Sequence, residues 1–132
     1  MMIDRLLYRS RALGTLPEAA LESIFRSSVH KNARLKITGA LGFSELTYIQ
    51  FLEGPSGAID QLMRTLEGDA RHTELTVLMR GASRRRLLPT WAMARINLAK
   101  LAPEVETLVE RNDGLGLMAL MATLAHEGVA TT

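Results

Sequence analysis

Cysteine is absent from the 132 residues, which removes disulfides, iron–sulfur clusters, thiolate catalysis and Cys-type zinc sites together. Neither an apolar run of about 18 residues nor a charged-then-apolar leader is present, so membrane spanning and secretion are not expected and a cytoplasmic setting fits. Charge of one sign is also scarce: 14 acidic residues balance 16 basic ones for a net +2. That is not the cationic excess of a protein that binds a phosphate backbone, and no nucleic-acid partner is expected. The only basic run, Arg84-Arg85-Arg86, reads as a solvated loop or strand end. His30, His72 and His126 lack a ligand spacing such as HxxxH, so no metal is expected. No Gly-x-Ser-x-Gly, Walker or GxGxxG pattern occurs, which leaves hydrolase and nucleotide-loop readings unsupported. Glu45, Glu53 and Asp69 would meet as paired carboxylates only by chance of folding. An ordinary enzyme active site is not visible.

What is present is a core. Hydrophobic residues make up 47% of the chain, enough for one globular domain and too many for disorder. "MMIDRLLYRS" has the length and apolar content of a strand. Gly14 breaks it, and Thr15-Leu16-Pro17-Glu18 reads as a capping box with Pro in the first turn. Leu21, Ile24, Phe25 and Val29 then recur at helical spacing, predicting a helix from about Leu16 to about Lys31. "RLKITGALGF" and "YIQFLE" predict a hairpin turning at "SELT". Ile59, Leu62, Met63 and Leu66 mark a second helix that Gly68 ends. "ELTVLMRGA" and the short "TWAMARI" complete the strands.

This order is that of a ferredoxin-like βαββαββ sandwich, a five-stranded sheet with two helices on one face. Its strands are apolar on both sides, so the other face also needs cover. The tail can supply it. Val105, Leu108 and Val109 form a stripe, and Leu115 to Ala125 is apolar nearly all round, as in a helix packed on the sheet, on a second subunit, or on both. Residues 1–97 therefore read as the domain and 98–132 as a C-terminal helical extension.

Two polar side chains stand inside the apolar strands. Tyr8 lies beside Leu6 and Leu7 in the first, and Gln50 lies between Ile49 and Phe51 in the third. Those strands are neighbours at the centre of a ferredoxin-like sheet. A phenol and an amide on the helix-covered face can satisfy each other, and burying either unpaired costs about 1–3 kcal/mol. Trp91 and Met93 share one face of the last strand. By spacing alone, a simple buried Tyr–Gln pair accounts for these residues.

The pattern as a whole says more. "YRSRA", "NARLKITGAL", "QFLEGP", "DARH" and "WAM", in this order and at these intervals, resemble the BLUF family of blue-light receptors from Leu6 to about Ile96. The resemblance implies noncovalently bound FAD, its isoalloxazine ring held between the two helices. It implies that Tyr8 donates an electron and a proton to the excited flavin, and that Gln50 lies between that phenol and the ring. Asn32 would bond the ring's carbonyl and N3 side, with Ile24 among the cofactor-binding residues. Lys31 would meet the phosphates, Asp69, Arg71 and His72 the ribityl chain or ring edge, and Trp91 and Met93 would carry the change outward.

A light-driven rearrangement of hydrogen bonds involves no net chemistry, so no enzyme is expected. Its output would be an unidentified protein partner or a change in assembly, most simply of a homo-oligomer. Glu45-Leu46 in the hairpin and "RRRLLPTW" before the Trp motif depart from the family's usual pattern. Two other classes stay open. One is a ferredoxin-like enzyme of the acylphosphatase type using Arg11 and Asn32; the other is a flavin-free interaction module.

Overall fold

The computed structural model describes residues 2–12, 18–44, 47–68, 72–88, 94–97 and 102–126. Strands β1 (Ile3–Ala12), β2 (Thr38–Ser44), β3 (Thr47–Gly54) and β4 (His72–Ser83) pair antiparallel in the order β4-β1-β3-β2. A four-residue β5 (Ala94–Asn97) adds to the β2 edge in parallel. Helix α1 (Glu18–Arg34) joins β1 to β2, and α2 (Ser56–Glu67) joins β3 to β4. Two further helices, α3 (Ala102–Glu110) and α4 (Gly114–His126), close the described chain. The fold is α+β.

Side chains alternate across a strand, so the apolar strands feed two cores. Leu6, Tyr8 and Leu52 point toward α1 and α2, where Phe25, Ile59, Leu62 and Met63 meet them. Leu7, Ile49 and Phe51 point the other way, toward Leu117, Met118 and Met121 of α4. The tail thus covers the second sheet face. Each large apolar side chain buried there contributes about 1.5–3 kcal/mol, which ties α4 to the domain. Its N-terminus comes close to β4: a Cβ at Gly114 would stand 2.8 Å from the Leu78 carbonyl oxygen.

Several boundaries differ from the sequence expectation, each for a local reason. Helix α1 continues to Arg34 because the Leu35 N–H still reaches the Lys31 carbonyl. Lys36, at φ 59°, then makes the left-handed turn without a glycine, and β2 starts only at Thr38. Gly68 does end α2, but at φ −86° in right-handed geometry, so its left-handed freedom is not what stops the helix. Strand β4 starts two residues early, at His72, and its pairing with β1 shifts register between Leu7 and Tyr8 and between Arg9 and Arg11. Glu74 takes a left-handed φ of 55° at the second shift. The predicted cap at Thr15-Leu16-Pro17 and the Glu45-Leu46 turn lie outside the described residues.

Close approach also requires the glycine at position 39. Gly39 pairs with Leu52, and a Cβ there would collide with the backbone carbonyl of Phe51. A main-chain atom in a paired strand cannot step aside as a flexible side chain does. Gly39→Ala is therefore expected to destabilise the domain by about 3 kcal/mol or more, read as a lower urea midpoint at unchanged slope.

Candidate functional site

Tyr8 and Gln50 face each other across the central strand pair of the sheet, as direct register partners on β1 and β3. The alternation that buries Leu6 and Leu52 puts both on the α1/α2 side. The Tyr8 hydroxyl donates to Gln50 Oε1. Both are buried, at 3% and 5% exposure. The first register shift of β1 against β4 falls between Leu7 and Tyr8, so the tyrosine sits where the sheet is locally twisted. Leu41 pairs with Gln50 from the far side and adds apolar wall.

Asn32 is buried at 1% exposure in the last turns of α1, the helix whose Phe25 packs on the same side of the sheet. Its main-chain carbonyl accepts the Ile37 N–H at 2.8 Å, which fixes the end of α1 against the start of β2. Lys31, one residue earlier, is exposed. Asp69, Arg71, Trp91 and Met93 lie outside the described residues, as do the side chains of Ile24 and His72. Tyr8 and Gln50 thus meet across β1 and β3, Asn32 is buried on α1, the helix whose Phe25 packs on that side of the sheet, and Lys31 beside it is exposed.

The donor set is one phenol and two carboxamides, buried and uncharged. A phenol has a reference pKa of about 10, so it offers a proton rather than a charge near neutral pH. A carboxamide carries a donor and an acceptor end of nearly equal shape, so rotation exchanges its hydrogen bonds without repacking. Such groups suit the edge of a flat ring that alternates donors and acceptors, as a flavin's does. They do not suit a phosphate or a metal ion, which call for charge.

The acylphosphatase-type reading gains no support from this geometry. Arg11 pairs with Thr47, three residues along β1 from Tyr8, so it starts from the opposite sheet face to Asn32's helix. Among the described residues no group of His, Asp and Glu could hold a metal, and no helix is long and apolar enough to cross a membrane.

Two buried polar residues went unrecognised in the sequence. Ser10 is the next residue along from Tyr8 on the same face, at 2% exposure, and Glu53 on β3 has no exposure at all. The signal for Glu53 was available: it stands in the same apolar run as Gln50. Arg80 is more ordinary. It donates to Asp60 (2.6 Å) and Asp4 (2.7 Å), tying β4 to α2 and β1, and these bonds, Asp60 first, push its pKa up.

Comparison with known proteins gives this geometry its context. The family model described as "BLUF: Sensors of blue-light using FAD" matches residues 3–94. The chain is 31% identical over 101 residues to photoactivated adenylate cyclase subunit beta of Euglena gracilis, covering 76% of this chain and 12% of the cyclase. It therefore spans about an eighth of that relative's length. In structure it is similar to BlrB, a BLUF protein in its dark state, with TM-score 0.81 and 33% identity over 92% of this chain and 96% of that one. It is also similar to a bacterial light-regulated adenylyl cyclase, with TM-score 0.73 and 27% identity over 98% of this chain and 40% of the cyclase.

Proposed function

Because this chain belongs to the BLUF family, sensors of blue light that use FAD, we propose that it is a blue-light receptor switched by the Tyr8–Gln50 hydrogen bond. The observation that carries the reading is that bond itself, buried at the sheet centre on the helix-covered face. Bound noncovalently between α1 and α2, FAD would supply the blue absorption and, once excited, an oxidant. Gln50, Asn32 and Ile24 would hold its ring. Lys31, exposed at the end of α1, would meet its phosphates. Asp69, Arg71 and His72 would complete the ribityl side.

The chain's own part is to hold a neutral phenol against a carboxamide. Tyr8 gives up and regains an electron and a proton. While its O–H is absent, Gln50 Oε1 loses its donor and the amide has reason to turn. Its exchanged ends then present a different hydrogen-bond pattern to β1 and β3. Glutamate in that place would only accept when ionised, and leucine would carry no hydrogen-bond state. This is a local two-state rearrangement without net chemistry, consistent with a family of sensors rather than enzymes.

The change would leave through the last strand, with Trp91 and Met93, and the extension from residue 98, toward a partner protein or a second copy of the chain. The cyclase relatives, which carry a similar domain in a longer chain, support an output taken up outside residues 1–97. A cytoplasmic site of action fits the absence of a membrane-crossing helix among the described residues.

Absorbance tests the reading. The purified protein is expected to be yellow, to release FAD on denaturation, and to shift its absorbance to the red under blue light, reverting in the dark. A chain that stays colourless when reconstituted with excess FAD would overturn the reading.

A further inference from the structure

The deepest charged side chain among the described residues is not in the Tyr8–Gln50 site. Glu53 lies on the same strand as Gln50, three residues on, so its side chain emerges on the opposite face, under the tail. Its Oε2 accepts from Arg5 Nε at 3.0 Å and from the Leu87 N–H at 2.8 Å, and its Oε1 accepts from the Leu88 N–H at 2.8 Å. Arg86 donates at 2.9 Å to the carbonyl of Glu53 itself, and also to Thr38 Oγ1 and the Lys36 carbonyl. Residue 53 thus holds residues 86–88 by both side chain and main chain.

That segment holds the tail in turn. The Leu87 carbonyl accepts from Nε2 of His126, the last residue of α4, at 2.6 Å. Leu88 is fully buried in the core that also contains Ala122 and Ala125 of α4. A continuous set of hydrogen bonds therefore runs from the strand of Gln50, through residues 86–88, to the C-terminal end of α4.

Anchoring a loop does not by itself require a buried carboxylate; desolvating one costs several kcal/mol, and an apolar side chain would pack under α4 without that cost. What the carboxylate adds is a rigid, directional tie between strand and tail through charge-assisted bonds. We propose that Glu53 is the positioning residue that transmits movement of β3 to the end of α4, with His126 as the receiving contact. The inference rests on the blue-light reading above: when Gln50 exchanges its hydrogen bonds, β3 adjusts, Glu53 travels with it, and residues 86–88 carry the shift to His126.

The test uses the FAD-loaded full chain, with hydrogen exchange followed in the dark and under blue light and the absorbance shift recorded on each sample. In the parent protein, light should change exchange both at residues 86–88 and in the last turn of α4. Glu53→Gln puts an NH2 against an N–H that needs an acceptor. It should keep the red shift, raise dark exchange at Leu87 and Leu88 about tenfold, and lose the light response at residues 121–126. His126→Ala, a change at an exposed helix end, should keep the red shift and the protection at Leu87 and Leu88, yet also lose the α4 response. It decides the matter should Glu53→Gln not fold. A loop anchor alone would leave the light response of α4 intact in His126→Ala.

An α4 that answers light normally in either folded variant overturns the proposal, as does a parent protein that shifts to the red without any response in α4. Loss of the red shift in a variant would also overturn it, by moving that residue into the photochemistry. A parent protein with FAD bound and no red shift would instead overturn the blue-light reading, and this inference with it.

Discussion

Gln50→Leu is expected to bind FAD and show no red shift under blue light. The substitution keeps a side chain of similar bulk at the centre of β3 and removes both ends of the amide. Tyr8 then loses the acceptor that its hydroxyl has in the folded chain. Losing that bond costs about 1–3 kcal/mol, against a typical domain stability of about 5–15 kcal/mol, so the protein should fold and keep Asn32 and the other residues proposed to hold the ring. What disappears is the only group at this position with two interchangeable hydrogen-bond faces. The measurement is the difference spectrum before and after illumination; a shift of ordinary size in this variant would refute Gln50 as the switch.

Tyr8→Phe should abolish the stable photoproduct by a different route. Here the amide remains but the neutral O–H donor is gone, while the ring still fills its place between Leu6 and Ser10. Gln50 keeps its position opposite residue 8 in the register. With no phenol to release and recover a proton, nothing makes the amide exchange its ends. The excited state should decay by fluorescence or other return to the dark form, so fluorescence should rise as the red shift vanishes. A full photocycle in Tyr8→Phe would show that another side chain, Trp91 foremost, can serve as donor.

The parts of this protein that sequence reasoning reached are those where one residue breaks a strong pattern. Tyr8 and Gln50 interrupt apolar strands, and strand order then makes them neighbours; the register confirms that they face each other. The long apolar stretch ending at Ala125 similarly demanded a surface to cover, and the sheet's second face is that surface. What stayed hidden depended on backbone states that residue type does not announce. Lys36 and Glu74 adopt left-handed conformations with no glycine, so the end of α1 and the start of β4 moved by two or three residues. Glu53 stood in the sequence only as one of three scattered carboxylates, because its burial depends on partners far along the chain. Only the return of residues 86–88 over that strand end, remote in the chain, turns it inward.

The sheet is not equally firm across its width. β1, β3 and β2 are paired on both sides, whereas β4 and β5, the latter with four described residues, lie at the edges of the strand order. Exchanging one buried hydrogen bond is worth about 1–3 kcal/mol, too little to repack the middle of a domain. It is comparable, however, to the opening energies of short, weakly held segments. An input of that size at the centre would therefore be read where an outlying segment is tied down by a hydrogen bond, as the end of α4 is at the Leu87 carbonyl.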